Sequence, residues 1–522
     1  MRRLSFNPRD LFGAILLLLP FGYWLGRRID LDLWFDELSS LSFFTFVPPW
    51  VTVLRYDDVG NHIFFNLLDN LFTLPFRLGL GLQLGTLLRH PWLIRLVPLA
   101  YTLAIFAVLY RIAVRFLARE AAPLVVLLLA TSIPFYNFCL QIRGYILSML
   151  LLSLLLYFSW SGKRRRDRIG ILVCAALLVY TIPTNALLLG GVGVAGLAAM
   201  ARASAQARTN RWLQLRSLAT GAALGFLGYV PPLLFRLPGR SNRVVDHFSR
   251  GWDCEPRAFS VVLPGTVKAF IADQWLLVAG LILACLVVLL SRSDAVLRLR
   301  GRFAWLTTAL LTPFALFYLL GIGDLGTARI LSVATPLFVL WFTTALTLVY
   351  QGLPFLRRAP RVLLVALFVY CNVIFWLNID LMDRRALVDI ARGTSSQELA
   401  QNFYQSRYCL SDTLTQLQDR LRRDPLPVIL YRHIGLGTEF YLREYGIPFR
   451  AQDWVDFRFS AFRTMLDGLP RAYVLTLYPN TFATDLRREM PEYRFTRLNP
   501  RWDFHNLFLL ERDDSKGPLP VQ

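Results

Sequence analysis

Residues 27–72 read RRIDLDLWFDELSSLSFFTFVPPWVTVLRYDDVGNHIFFNLLDNLF. They open a segment, 27–90, that is far longer than a connection between two helices needs. Its apolar runs, 41–53 and 63–76, fall short of the roughly 17–25 residues that cross a bilayer. Runs of this kind suit helices lying along a membrane surface, with Trp34, Trp50 and the phenylalanines at headgroup depth. Among them sits an acidic pair, Asp36 and Glu37, directly after Trp34 and Phe35.

The rest of the chain supplies the membrane. Of 522 residues, 55% are hydrophobic and 17% charged, with a mean hydropathy of +0.46; a soluble domain carries about 25% charged residues. The formal charge is nevertheless +21, from 56 Lys and Arg against 35 Asp and Glu. A disordered tail or a basic nucleic-acid-binding arm is never this apolar, so both classes are excluded. The spacing predicts an α-helical polytopic membrane protein with about eleven transmembrane helices, at 11–26, 91–113, 121–138, 141–160, 169–184, 186–201, 217–235, 272–291, 303–321, 329–350 and 361–380.

With the N-terminus in the cytoplasm, the inner segments 1–10, 111–120, 161–168, 202–216, 292–302 and 357–361 hold 22 basic residues and four acids. The first outer loop, 27–90, holds five arginines and seven acids. That asymmetry sets the orientation. Arg27 and Arg28, at the outer end of the first helix, read as snorkelling side chains. No A-x-A pattern follows the first helix, which therefore reads as a retained anchor. Internal repeats are not visible, which argues against a secondary transporter.

Beyond residue 380 the composition turns polar. Residues 381–522 are expected outside, with helices at 396–423, 437–445 and 482–489 and strands at 427–431, 447–452, 472–477 and 506–511. This alternation predicts a small α/β domain. Gly435 and Gly437 lack the full spacing of a nucleotide-binding turn and read as an ordinary turn. Cys139, Cys174, Cys285 and Cys371 fall in or beside spans and read as buried small apolar residues, while Cys254 and Cys409 lie outside, where a disulfide is allowed.

Two readings of Asp36 stand on the residues alone. A carboxylate beside hydrocarbon is costly and hence a functional candidate, able to take a proton from a hydroxyl or hold a divalent cation. Equally, it could cap an interfacial helix. Asp57 and Asp58 divide in the same way between a second acidic site, with His62 as a possible cation partner, and a solvated turn. All five histidines fall on the outer side with no metal-ligand spacing among them.

The acidic pair after the first helix, Asn61–His62 before an apolar run, and Arg143, Gly144 and Tyr145 at the outer start of a later helix together resemble the GT-C glycosyltransferases. Protein O-mannosyltransferases, lipid A aminoarabinose transferases and RgtA/B/C/D-like enzymes are members. The resemblance spans residues 10–380 as a transmembrane domain, and the outer tail is similar to the C-terminal domains of bacterial members. It implies a polyprenyl-phosphate-linked sugar as donor, an envelope glycan, lipid or protein as acceptor, membrane lipids as surroundings and no nucleic acid. The location it implies is the outer face of a bacterial cytoplasmic membrane.

Asp36 then corresponds to the first-loop acid of the family, with Glu37 supporting the loop or a cation. His62 falls where many members have His-Pro-Pro; here Ile63 and Phe64 follow. Arg143 and Tyr145 match an Arg-x-Tyr near the donor phosphate, and Lys268 and Arg329 at two further outer helix ends could join them. The outer loop 236–271, with Arg243, Asp246, His247, Trp252 and Asp253, corresponds to a lid. The rival readings are a transporter or flippase of a lipid-linked sugar, and a binding member of the same fold.

Overall fold

The computed structural model describes residues 8–56, 61–162, 164–201, 203–234, 271, 275–291, 293–319, 331–392, 410–431, 435–451, 459–476, 479–499 and 506–513. The chain divides into two compact units. One comprises residues 1–26, 43–79 and 95–379; the other comprises 27–42, 80–94 and 380–522.

In chain order the described helices up to residue 392 are α1 (Pro8–Gly26), α2 (Phe35–Ser40), α3 (Pro49–Leu54), α4 (Ile63–Leu80), α5 (Leu84–Arg89), α6 (Trp92–Ile112), α7 (Ala121–Ala130), α8 (Ile133–Phe138), α9 (Gly144–Ser161), α10 (Arg165–Thr181), α11 (Ala186–Met200), α12 (Ala205–Leu227), α13 (Val230–Leu234), α14 (Trp275–Leu290), α15 (Asp294–Leu319), α16 (Thr335–Gly352) and α17 (Pro360–Arg392). Four helical stretches among the described residues are long and apolar enough to cross a membrane: Trp92–Leu117, Gly144–Ser161, Pro183–Met200 and Pro360–Ile379. Shorter apolar helices cover Ile15–Gly26, Ala121–Ala130 and Trp275–Leu290.

Several helices depart from the expected spans for local reasons. The stretch 121–138 is two helices, because Pro134 lacks an amide proton and sits within the first turn of α8, where that loss is harmless. Segment 63–76 extends to an 18-residue helix, α4, which runs through Pro75. Helix α15 begins nine residues before its expected apolar start, at Asp294, and so carries Arg298, Arg300 and Arg302 in its opening turns.

The helices of the first unit pack closely where side chains are absent. A Cβ on Gly221 of α12 would lie 2.9 Å from the Ala175 Cβ of α10, and one on Gly225 would lie 2.7 Å from the Val179 Cβ. Glycines four apart let two helix backbones approach, as at other membrane helix crossings. Of the four membrane-length stretches, α9 is the most buried, with 61% of its apolar window inside, whereas α17 buries 22% of its own. Outward-facing Trp275, Ile282 and Leu289 on α14, and Val362, Val365 and Val369 on α17, are exposed. An apolar surface of that extent fits hydrocarbon surroundings. Cys285 is exposed on this face of α14, contrary to the expectation of burial, while Cys139, Cys174 and Cys371 are buried. Cys254 and Cys409 lie outside the described residues.

The second unit is built on a four-stranded sheet, β1 (Val428–Tyr431), β2 (Arg471–Thr476), β3 (Tyr493–Arg497) and β4 (Asn506–Arg512), ordered β1-β2-β4-β3. β1 and β2 are parallel, and the other two pairings are antiparallel. Tyr431, Phe462, Val474, Phe482, Leu486 and Phe508 form its core with helices Phe459–Leu466 and Pro479–Glu489. The expected strand 447–452 reduces to one bridge, Arg450 to Ile429. Gly435 and Gly437 lie in the first turn of a helix, Gly435–Glu444, instead of a loop turn.

Pieces of the first loop complete this unit. The Leu33 amide donates to the Tyr441 hydroxyl at 2.7 Å, and the Ser411 amide donates to the Asp32 carboxylate at 2.6 Å. Arg89 pairs with Glu444 at 2.9 Å. Arg28 is buried here, 4% exposed, so its side chain does not snorkel outward as expected.

Candidate functional site

The candidate residues fall into two groups, one in each unit. In the first unit the Arg143–Gly144–Tyr145 turn opens α9. Arg143 holds extended backbone (φ −148°, ψ 154°) at the N-cap, which turns the chain sharply into the helix. The Gly144 amide donates to Nδ1 of His62 at 2.8 Å, joining residues 82 apart in sequence. An accepting Nδ1 keeps the ring neutral, with its proton on Nε2. The His62 ring stands edge-on to Tyr145 at 5.1 Å, and the Arg143 guanidinium lies over the same tyrosine ring at 5.6 Å. Only glycine fits between them: a Cβ on Gly144 would be 2.7 Å from Thr181 Cγ2 and 2.8 Å from His62 Cβ.

All three of His62, Arg143 and Tyr145 are buried. A guanidinium in such a setting is a strong, oriented partner for a phosphate. Beside it, Tyr56, Tyr180 and Tyr229 cluster around Ile63, with ring centroids 4.9 Å and 5.7 Å apart for the two pairs that Tyr229 makes.

A polar ladder fixes the loop that leads to His62. Asn61 donates to the Arg55 carbonyl at 2.5 Å, and Asn66 donates to Asn61 Oδ1 at 2.8 Å. Asn70 donates to the Thr52 hydroxyl and the Val47 carbonyl, each at 2.8 Å. Asn66, Asp69, Asn70 and Thr73 share one face of α4, and all four are buried. Asp69 is fully buried, with no hydrogen-bond partner for either carboxyl oxygen among the described residues, and burial pushes its carboxyl well above the usual carboxylate range. Arg95, 2% exposed at the start of α6, is a second buried charge. Neither stood out in the sequence. The available signal was the rule that an ionisable residue inside an apolar helix is a functional candidate.

In the second unit, Asp36 and Glu37 occupy the first turn of α2. The Trp34 amide donates to Glu37 Oε2 at 2.9 Å, so Glu37 caps the helix by reaching back to its N-terminus. Asp36 is half-buried in the same turn, while Glu37 is fully buried.

Asp57, Asp58, Lys268, Arg329 and the loop 236–271, except for its last residue, lie outside the described residues. Among the described residues no group of three or more His, Cys, Asp or Glu converges as a metal site.

No family model and no curated protein matches the chain. Among solved structures, the crystal structure of ArnT from Cupriavidus metallidurans bound to undecaprenyl phosphate is similar along 99% of this chain and 100% of that one, with a TM-score of 0.53 and 11% identity. The apo-state structure of the same protein covers 98% and 99% at a TM-score of 0.47. The chain therefore shares its fold with that ArnT structure along nearly its whole length.

Proposed function

We propose that the protein transfers a sugar from a polyprenyl-phosphate-linked donor to an acceptor hydroxyl at the outer face of a bacterial cytoplasmic membrane. The observation that carries this reading is the buried Arg143 over Tyr145, pinned by His62 at the start of a membrane-length helix, in a fold shared end to end with ArnT. The ArnT structure holds undecaprenyl phosphate. Eleven spans with a cytoplasmic N-terminus and an outer tail complete the reading.

In the proposed reaction the acceptor oxygen attacks the anomeric carbon, and the bond from that carbon to the phosphate oxygen breaks. Negative charge develops on the leaving polyprenyl phosphate, and Arg143 stabilises it by bidentate hydrogen bonding. Lys268 and Arg329 are proposed as further phosphate contacts. Asp36 takes the acceptor proton or orients that hydroxyl, and Glu37 holds its turn through the Trp34 amide. The acceptor is an envelope glycan, lipid or protein, and the sugar a hexose or pentose.

Asp36→Asn tests the base. Transfer from a purified lipid-linked donor should fall about 10²- to 10⁴-fold with donor binding retained. Transfer at the wild-type rate would remove Asp36 from the mechanism. Wild-type protein that moves the lipid across vesicles and transfers nothing would establish the flippase reading instead.

A further inference from the structure

At the end of the helical unit where the sequence gathers basic loops, a cavity of about 1030 Å³ opens between α9, α11, α12 and α15. It exists because the α11 wall is made of small residues, Ala195, Gly196 and Ala199, which do not fill the space toward α12 and α15. Trp160 and Trp305, edge-on at 5.8 Å, line it, and Gln214 ties α12 to the end of α9 through the Ser159 and Gly162 carbonyls at 3.2 and 3.1 Å.

Three arginines line the cavity: Arg211 from α12, and Arg298 and Arg302, one helical turn apart, from α15. Among the described residues no carboxylate lines it. Asp167, the acid of this end of α10, is engaged by the Ser161 hydroxyl and the Arg164 amide. None of the three guanidiniums makes a hydrogen bond or ion pair to another described residue. Three uncompensated positive charges around one cavity repel each other and favour an anion.

The flanks of the cavity identify the kind of anion. Leu197 on α11, Trp212 on α12 and Leu297 on α15 are 52%, 57% and 47% exposed, on the same helices that supply the arginines and the small wall. Exposed tryptophan and leucine beside arginine are the signature of a headgroup-depth surface. A free phosphate would have no use for those apolar flanks, whereas a phospholipid brings a phosphate and acyl chains together.

We propose that this cavity binds the headgroup of an anionic phospholipid, its phosphate against Arg211, Arg298 and Arg302 and its acyl chains along α11 and α15. Basic pockets between membrane helices recognise anionic lipids in this way. The site is separate from the Arg143 corner and does not depend on the transfer reaction.

The test uses full-length protein in nanodiscs of phosphatidylethanolamine and phosphatidylglycerol in equal parts, released into detergent and weighed by native mass spectrometry. Wild-type protein should retain phosphatidylglycerol over phosphatidylethanolamine. Arg298→Gln with Arg302→Gln should weaken that retention about fivefold per arginine, and the paired Lys variants should preserve most of it. Gly301→Phe fills the cavity with all three arginines intact, since Gly301 has no atom within 4 Å of a built Cβ, and should displace the lipid. Equal retention of both lipids, or unchanged retention in both the Gln pair and Gly301→Phe, would overturn the proposal. So would displacement of phosphatidylglycerol by inorganic phosphate alone, which would mark a free-phosphate site. If the Gln pair does not fold, Gly301→Phe and the phosphate competition decide.

Discussion

Asp69 lies on the inner face of α4 with its carboxyl raised by burial, so the folded chain holds a proton there that the unfolded chain releases above about pH 4. The folded state thus binds more protons, and its stability falls as pH rises from that ordinary value through the raised one. Asp69→Asn removes the penalty. In thermal unfolding near neutral pH the variant should melt higher than wild type, and the gap should close as pH falls toward about 4. A wild type that melts higher near neutral pH would mean that an unseen cation holds Asp69 ionised. Asp36 and Glu37 were legible because they interrupt aromatic residues. Asp69 was not: Asn66, Asp69, Asn70 and Thr73 recur at helical spacing, a pattern that reads as a solvated stripe. Only the hydrogen bonds from Asn70 to residues 47 and 52 reveal that this stripe is turned inward.

At the scale of elements, α12 meets α10 through two glycines, and this crossing supports Tyr229 and Tyr180 beside the His62 corner. Gly221→Ile places a branched side chain where the Ala175 methyl already sits 2.9 Å from the first new carbon. Overpacking of this kind costs about 1–3 kcal/mol. The variant should melt lower in detergent with a weakened donor site, whereas Gly301→Ala, whose new carbon has nothing within 4 Å, should melt like wild type. The long apolar helices were legible because hydropathy alone selects them. Their ends were not, since α12 and α15 begin in charged segments that hydropathy discards. Strand β3 escaped notice because it is short and polar at Arg494, Thr496 and Arg497, and its pairing with β4 is what makes it a strand. Strands β1 and β2, buried on nearly every residue, read directly from their apolar runs.

For the whole molecule, the least legible feature is the division of the first loop: residues 27–42 and 80–94 cluster with the tail, and residues 43–79 with the helices. Hydropathy and motif order carry no trace of this, because the contacts responsible join residues hundreds of positions apart. Tyr441→Phe tests the division directly. It leaves the buried Leu33 amide without its acceptor, at a local cost of about 1–3 kcal/mol. Hydrogen exchange should quicken at Leu33 and through α2, and transfer should drop if Asp36 is the base; unchanged exchange would show that the bond is dispensable. The same bond sets a schedule for the ribosome. Leu33 and Tyr441 are 408 residues apart, so at about 5–20 residues per second the acidic turn waits about 20–80 s for its partner to be made. During that interval the membrane helices can insert, but the segment bearing Asp36 has no finished surface to settle on. On the proposed reading, the proton-accepting turn is therefore finished only once Tyr441 has been made.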